Sequence, residues 1–266
     1  MDAPRVDALP AHRVRARNLA PDSDNKIHDD TVARQFGFTG ALVPGVEVFA
    51  YATHPFVHAW GEEFLRRGEI HARFRRPVYD GEEVDVTAEP GADGRYELNV
   101  TGPDGVVRAT GSGRLTDDPP AVDVTSIADV PAPAERPTAD AVSLAVGTVL
   151  ATVAEPVDPE PHALYRKGVG DDLSLYERFA HPGVLLRMVN AVLYRNVAMG
   201  PWIHIESACR LLAPAPVPSR LQARGVVTDR YERDGRSWVR FDAVVLADDR
   251  PVMYADHRAI YDLGSP

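Results

Sequence analysis

The side chains best suited to chemistry are concentrated near the N-terminus, in residues 22–45. This stretch begins Asp-Ser-Asp-Asn-Lys-Ile-His-Asp-Asp and so brings several acids, an amide, a lysine and His28 into one predicted loop. Histidine exchanges a proton readily near neutral pH, and a neighbouring carboxylate commonly assists it. The pattern is typical of a functional site, because reactive side chains commonly sit on a loop that packed elements hold in place. The sequence has no cysteine–histidine cluster that predicts a metal site and no glycine-rich phosphate loop.

The residues around this loop predict elements that would hold it in place. A strand at 12–18 precedes it, and Asp29 or Asp30 can cap a short helix at 31–36. Pro44 and Gly45 then open an apolar helix from 46 to about 60, in which Pro55 predicts a kink or an early end. Residues 62–67 are expected to form an exposed charged extension. Strands are predicted at 69–74, 82–88, 95–101 and 106–115, which with the long helix make an α+β layer.

The second half of the chain repeats this order. A linker rich in proline, aspartate and alanine covers 116–143, and a strand, a polar loop at 164–176, an apolar helix at 184–197 and four strands follow. The turn at 42–45 matches 180–183, and Ile70-His71 matches Ile203-His204. Two such units can join their sheets edge to edge. We therefore predict an N-terminal domain at 1–117, a linker at 118–145 and a C-terminal domain at 146–266.

A long helix wrapped by an antiparallel sheet, twice in one chain, resembles a double hot-dog fold. The loop sharpens this resemblance. Ser23-Asp24-Asn25-Lys26-Ile27-His28-Asp29, followed by Ala33, Gly37-Phe38 and Pro44-Gly45, is similar to the active-site loop of the MaoC-like family of (R)-specific enoyl-thioester hydratases and 3-hydroxyacyl-thioester dehydratases. The resemblance implies addition or removal of water next to a thioester carbonyl. It implies His28 as the proton-transfer residue, Asn25 as an ordering residue and the backbone near Gly45 as the donor to the carbonyl oxygen.

The sequence departs from this family at several positions. Ser23 stands where the family has its catalytic aspartate, so either Asp24 or a water bound by Ser23 would have to assist His28. Lys26 replaces a proline, and it is one of only two lysines in the chain. Lys26 is therefore a candidate for holding a phosphate or a carboxylate.

The second half departs in the opposite way. Asp171 takes the position of the family's aspartate and Tyr176 that of its histidine, and the short helix before the turn is expected to be missing. These two residues are candidates for a second or shared site. The other interpretation is that this half has become a lid or an acyl-binding half. His71, His181 and His204 are interpreted as structural residues of strands and turns.

Three functions remain open on this fold. The first is a lyase that acts on an acyl thioester of coenzyme A or of an acyl carrier protein. The second is a thioesterase or a diverged biosynthetic enzyme, for which Glu47 in the first turn of the helix is a candidate acid. The third is an acyl-binding protein without chemistry. The resemblance implies no cofactor and no metal.

Composition limits the partners and the compartment. The 266 residues carry a net charge of −10, which argues against a nucleic-acid partner. No apolar run is long enough to span a membrane, and the N-terminus has no signal peptide pattern. With Cys209 as its only cysteine, the chain is predicted to be cytoplasmic. A homodimer of double hot-dogs is a further expectation.

Overall fold

The computed structural model describes residues 7–21, 23–117 and 127–264. Their strands form one ten-stranded antiparallel sheet. The first five strands are β1 (His12–Arg15), β2 (Gly68–Phe74), β3 (Glu83–Pro90), β4 (Tyr96–Thr101) and β5 (Val107–Leu115). The other five are β6 (Val149–Val157), β7 (Ile203–Leu211), β8 (Ser219–Arg233), β9 (Arg236–Ala247) and β10 (Arg250–Asp262).

The strand order confirms the predicted duplication. The order is β1-β3-β4-β5-β2-β7-β10-β9-β8-β6, so the first five strands and the last five follow one topology about the middle of the sheet. The two halves meet where β2 pairs antiparallel with β7, from Glu69 opposite Arg210 to Arg73 opposite Glu206. This pairing satisfies the backbone groups of an edge that each half would otherwise expose.

Two long helices lie against the sheet. They are α2 (Gly45–Trp60) and α5 (Pro182–Asn196), and they pack on each other. Pro55 does not end α2, which continues to Trp60. Residues 46–57 are all buried, and this tertiary packing offsets one missing hydrogen bond. The helix ends at Gly61, whose positive φ of 56° favours glycine.

Three shorter helices complete the described elements: α1 (Asp30–Gln35), α3 (Glu62–Arg67) and α4 (Pro159–Gly168). The prediction of α1 is confirmed, with Asp29 accepting from the backbone N–H groups of Thr31 and Val32. The charged extension at 62–67 is a helix with Phe64 and Leu65 buried.

The prediction of a loop at 164–176 is wrong in part. Helix α4 occupies its first residues, and a 3-10 turn spans Ser174–Glu177. Pro159 stands at the first turn of α4, where proline is well tolerated, and His162 and Tyr165 are buried one turn apart on one face. Tertiary packing of this face outweighs the polar character of the segment.

Part of the predicted linker packs on the second half. Ile127 is buried with Val244 and Leu246, and the N–H of Thr152 donates to the carbonyl of Val130 at 2.8 Å. Residues 118–126 lie outside the described part of the chain. Of the described helices, none is long and apolar enough to cross a membrane.

Candidate functional site

Asn25 ties the N-terminal loop to the second half of the chain. Its side-chain oxygen accepts from the N–H of Trp202 at 3.1 Å, and its amide nitrogen donates to the carbonyl of the same residue at 2.9 Å. Trp202 immediately precedes β7. This two-way pairing sets the position of the loop against the middle of the sheet, as the predicted ordering role of Asn25 requires.

His28 closes a short 3-10 turn, Lys26–His28, in the same loop. Its Nδ1 lies 2.7 Å from the carbonyl oxygen of Leu42, so Nδ1 carries the proton and donates it. Nε2 then holds a lone pair, 3.4 Å from the amide nitrogen of Asn25. Burial lowers the pKa of His28, and the bond to Leu42 opposes that effect only in part. His28 is therefore a neutral imidazole whose Nε2 can accept a proton.

The N-terminus of α2 provides free hydrogen-bond donors beside this loop. Within the described part of the chain no side chain caps the helix, and the N–H groups of Glu47 and Val48 both donate to the carbonyl of Pro44, at 3.0 and 3.2 Å. The N–H groups of Gly45 and Val46 have no acceptor within the helix. Together with the positive end of the helix dipole, they can bind a developing negative charge.

Gly45 is required at this position by a close approach. A Cβ atom on Gly45 would lie 2.9 Å from Nδ1 of His204 and 3.2 Å from two carbon atoms of the same side chain. His204 is held in turn, because its Nε2 lies 2.8 Å from the hydroxyl of Ser207, which lies 2.9 Å from Nδ1 of His257. Burial, and then the neighbouring His257, lowers the pKa of His204 well below its ordinary value, so this histidine is neutral.

Two cavities meet at this point. One has a volume of about 190 Å³ and the other of about 360 Å³. The walls that they share are Asn25, His28, Pro44, Asn190 and Trp202. His28 therefore lies between two spaces, next to the open end of α2. This arrangement suits a long substrate whose reacting atoms sit at the junction.

Asn190 of α5 also belongs to the junction, although sequence reasoning did not select it. It is buried, and its side-chain oxygen has no hydrogen-bond partner among the described residues. A buried polar atom at a cavity wall can hold a water molecule or a substrate group. Its position in the α5 pattern, as the single amide within an apolar run at 188–193, is the signal that could have identified it.

The other predicted residues of the first loop lie around the site. The hydroxyl of Ser23 donates to the carbonyl of Asn25 at 3.2 Å, and Ser23 lines the larger cavity. Asp24 lines the same cavity, but its side chain is 89% exposed and lies 3.9 Å from Arg136. Lys26 donates to the carbonyl of Ser23 at 3.0 Å and lines neither cavity, so it stabilises the loop.

No carboxylate of the described residues lies within 4.0 Å of His28. Asp22, the remaining acid of the loop, lies outside the described residues. Glu47 is the buried carboxylate nearest in sequence to the open helix end, and it lines the larger cavity. One of its oxygens accepts from Nε of Arg187 at 2.7 Å, whereas the other has no partner in the described part of the chain. Burial raises the pKa of Glu47, and Arg187 opposes that rise.

Asp171 lies in a buried polar cluster of the second half. It is 3% exposed, and its Oδ2 lies 3.1 Å from Nδ1 of His54 and 3.1 Å from Nε2 of His181. Burial acts to raise the pKa of Asp171, but the hydrogen bond from His181 and the contact with Nδ1 of His54 outweigh it, and the pKa lies well below the usual range. Tyr176 is fully buried with its ring 4.4 Å from that of His181. None of these residues lines either cavity.

The helix end in the second half is closed. The N–H of Gly183 donates to Nδ1 of His181 at 3.0 Å, so a side chain occupies the place that stays open in α2. A Cβ atom on Gly183 would lie 2.1 Å from the hydroxyl of Tyr165, which covers this end. The second copy of the turn therefore has no free donor among the described residues, and residues 180–183 line neither of the two cavities.

His54 is a further residue that sequence reasoning missed. Glu47, Tyr51 and His54 follow one another at intervals of four and three along α2, which is the spacing of one helix face. Such a polar stripe on a buried helix predicts polar partners.

The matched dipeptides at Ile70-His71 and Ile203-His204 are not equivalent, because His71 lies half-exposed against Glu206 at 2.6 Å whereas His204 is buried.

The described residues contain no group of three or more side chains suited to holding a metal ion. No family model matches the chain, and no curated protein matches it in sequence.

Solved structures match the chain over most of its length. A protein named as a MaoC domain dehydratase from Chloroflexus aurantiacus matches with a TM-score of 0.65 and 13% identity, over 96% of this chain and 95% of its own. A conserved hypothetical protein from Mycobacterium tuberculosis, described as a double hotdog fold, matches with 0.63 and 16%, over 96% and 94%. A protein named as a thioesterase II from Thermobifida fusca matches with 0.50 and 16%, over 85% and 89%. The chain therefore has the double hot-dog fold, which it shares with proteins named as MaoC-like dehydratases.

Proposed function

We propose that this protein is a hydratase or dehydratase of acyl thioesters carried by coenzyme A or by an acyl carrier protein. The observation that carries the proposal is the position of His28. Its tautomer is set by Leu42, and it lies at the junction of two cavities beside the open N-terminus of α2. A base and a donor to the carbonyl oxygen are the two groups that this chemistry needs.

The reaction can use His28 as a single proton carrier. In hydration, Nε2 of His28 takes a proton from water as the water oxygen bonds to the β-carbon of an enoyl thioester. The electron pair of the double bond moves to form an enolate, whose oxygen accepts from the N–H groups of Gly45 and Val46. The imidazolium then returns its proton to the α-carbon, and dehydration is the reverse. Asn190, whose side-chain oxygen has no partner among the described residues, can hold the water.

This mechanism accounts for Ser23 in place of an acid. No carboxylate is needed if the proton that His28 takes from water is the same proton that it delivers to the α-carbon. The proton balance then closes on His28 alone. Because the pKa of His28 is lowered, its neutral form dominates at neutral pH. The rate of hydration should therefore be constant above about pH 6.5 and fall only in more acidic solution.

Hydration of crotonyl-CoA, followed by loss of the enoyl-thioester absorbance, tests the proposal. His28→Ala should lower kcat about 100-fold or more, within the usual range of a general base. His58→Ala is a matched control, because His58 is exposed and lines neither cavity. If wild-type protein consumes none of a series of short and long enoyl thioesters, the lyase proposal fails.

A thioesterase is the second candidate, favoured by the unpaired oxygen of Glu47 in the larger cavity. Release of free thiol from acyl-CoA, lost on Glu47→Gln, would support it. Binding of acyl-CoA without turnover would support a binding protein instead.

A further inference from the structure

The smaller cavity reaches the surface where β2 ends. Strand β2 pairs with β7 only as far as Arg73, opposite Glu206, and ends at Phe74. Strand β7 begins at Ile203, so its first residues have no partner in β2. The chain after β2 and the first residues of β7 both line the cavity, together with the exposed residues Arg75 and Arg76. A gap at the central junction of the sheet is therefore the mouth of the cavity.

Three arginines surround this mouth. Arg75 and Arg76 follow β2, and Arg236 opens β9 on the hairpin that comes from the second half. All three are exposed. Arg75 donates to the hydroxyl of Thr110 at 3.2 Å, and within the described residues neither Arg76 nor Arg236 has a side-chain hydrogen bond or an ion pair.

Among the described residues, Arg76 and Arg236 have no acidic partner, unlike Arg73 and Arg233. The chain carries a net charge of −10, and arginines close to the mouth in sequence have acidic partners. Arg73 lies 4.0 Å from Glu206, and Arg233 lies 3.4 Å from Asp234. Positive charge that remains without a carboxylate at the opening of a cavity attracts an anionic group of a ligand.

The two cavities differ in charge. The larger cavity has Asp24 and Glu155 on its wall, and its arginine, Arg187, is already paired with Glu47. An anionic group would be repelled there. The distribution of charge between the two cavities thus favours binding of the anionic end of a ligand in the smaller cavity and of its uncharged end in the larger one, with His28 between them.

We propose that Arg75, Arg76 and Arg236 form a phosphate-binding site for the substrate carrier. Guanidinium groups bind phosphate oxygens in pairs of parallel hydrogen bonds, and three of them suit a ligand with one or more phosphates. This inference rests on the proposed function, because the phosphate belongs to the pantetheine carrier of the thioester. The phosphate can be the one nearest pantetheine, which coenzyme A and a carrier protein share, or one of those at the adenosine end of coenzyme A.

Calorimetric binding of three probes tests the site without any need for turnover. The probes are coenzyme A, 4′-phosphopantetheine and pantetheine, which differ in their phosphates. Arg76→Ala with Arg236→Ala should weaken binding of coenzyme A about tenfold or more, equivalent to ~1.4 kcal/mol, and leave binding of pantetheine unchanged. Arg233→Ala is the control, because this exposed arginine lies on the same hairpin and does not line the cavity.

The probes also separate the two phosphate sources. Weakened binding of 4′-phosphopantetheine assigns the arginines to the phosphate nearest pantetheine, whereas an effect on coenzyme A alone assigns them to the adenosine end. Equal affinity of wild type and double variant for coenzyme A would overturn the site. Arginine-dependent binding without hydration of any enoyl thioester would leave the site in place and reject the proposed reaction.

Discussion

Replacing Asp171 by asparagine should destabilise the protein strongly. The carboxylate is 3% exposed, and one of its oxygens lies 3.1 Å from each of two histidine nitrogens, in His54 and His181. Asparagine can place its oxygen where this oxygen lies, but it carries no negative charge, and its amino group then faces the N–H of Leu173, which donates to the other carboxylate oxygen at 3.3 Å. A hydrogen bond to a buried charged group contributes about 1.5–3 kcal/mol, and we expect a loss of about that size in the free energy of unfolding at pH 7.

The measurement is urea unfolding followed by circular dichroism, with the slope of the transition compared between variants. Asp172→Asn is the matched control, because Asp172 is the next residue and is exposed, and it should change stability by less than about 0.5 kcal/mol. The fold favours the charged form of Asp171, since its pKa is lowered. Its contribution should therefore be complete above about pH 4, the unfolded value, and be lost as the pH falls further.

A loss below about 1 kcal/mol at pH 7 would refute this account of the cluster. Unchanged stability combined with lost turnover would instead make Asp171 a catalytic group, as the match to the family's aspartate suggests. The two outcomes are distinct because one is an equilibrium measurement on the protein alone and the other requires substrate.

Two further changes test the open helix end and the pair that joins the helices. Gly45→Ala should lower the free energy of unfolding by about 1–3 kcal/mol and impair turnover, because the new Cβ atom would lie 2.9 Å from the fixed ring of His204. Gly200→Ala is the control, because a Cβ atom there meets nothing within 4 Å, and it should be neutral in the same unfolding and rate assays. Arg187→Met should cost about 3 kcal/mol at pH 7 by leaving the carboxylate of Glu47 buried without its partner. Burial raises the pKa of that carboxyl, so the loss of stability in Arg187→Met should become smaller as the pH is lowered towards 5. Urea unfolding at several pH values measures this change, and a loss that does not depend on pH would contradict the expectation.

Local patterns in the sequence were sufficient to predict the architecture. The apolar intervals and the proline–glycine turns predicted α2 and α5, and the matching turns at 42–45 and 180–183 predicted the repeat that the strand order confirms. The last residues of helix α4, 164–168, were predicted as a loop, because the polar segment does not reveal the buried face of His162 and Tyr165 that packs against the rest of the molecule. Periodicity indicates which residues can share one face of a helix or strand, but it does not indicate which other element that face packs against.

The sequence by itself determined the duplicated fold and the loop that carries His28 and Asn25, because both depend on short-range spacing. The tertiary structure decided the rest of the site. Trp202, which holds Asn25, lies 177 residues away along the chain, and only the pairing of β2 with β7 brings it there. The end of α2 stays open because its N-cap residue, Pro44, has no side chain that can accept a hydrogen bond, whereas His181 closes the end of α5. Contacts between distant segments, which no local spacing encodes, assembled the site around His28.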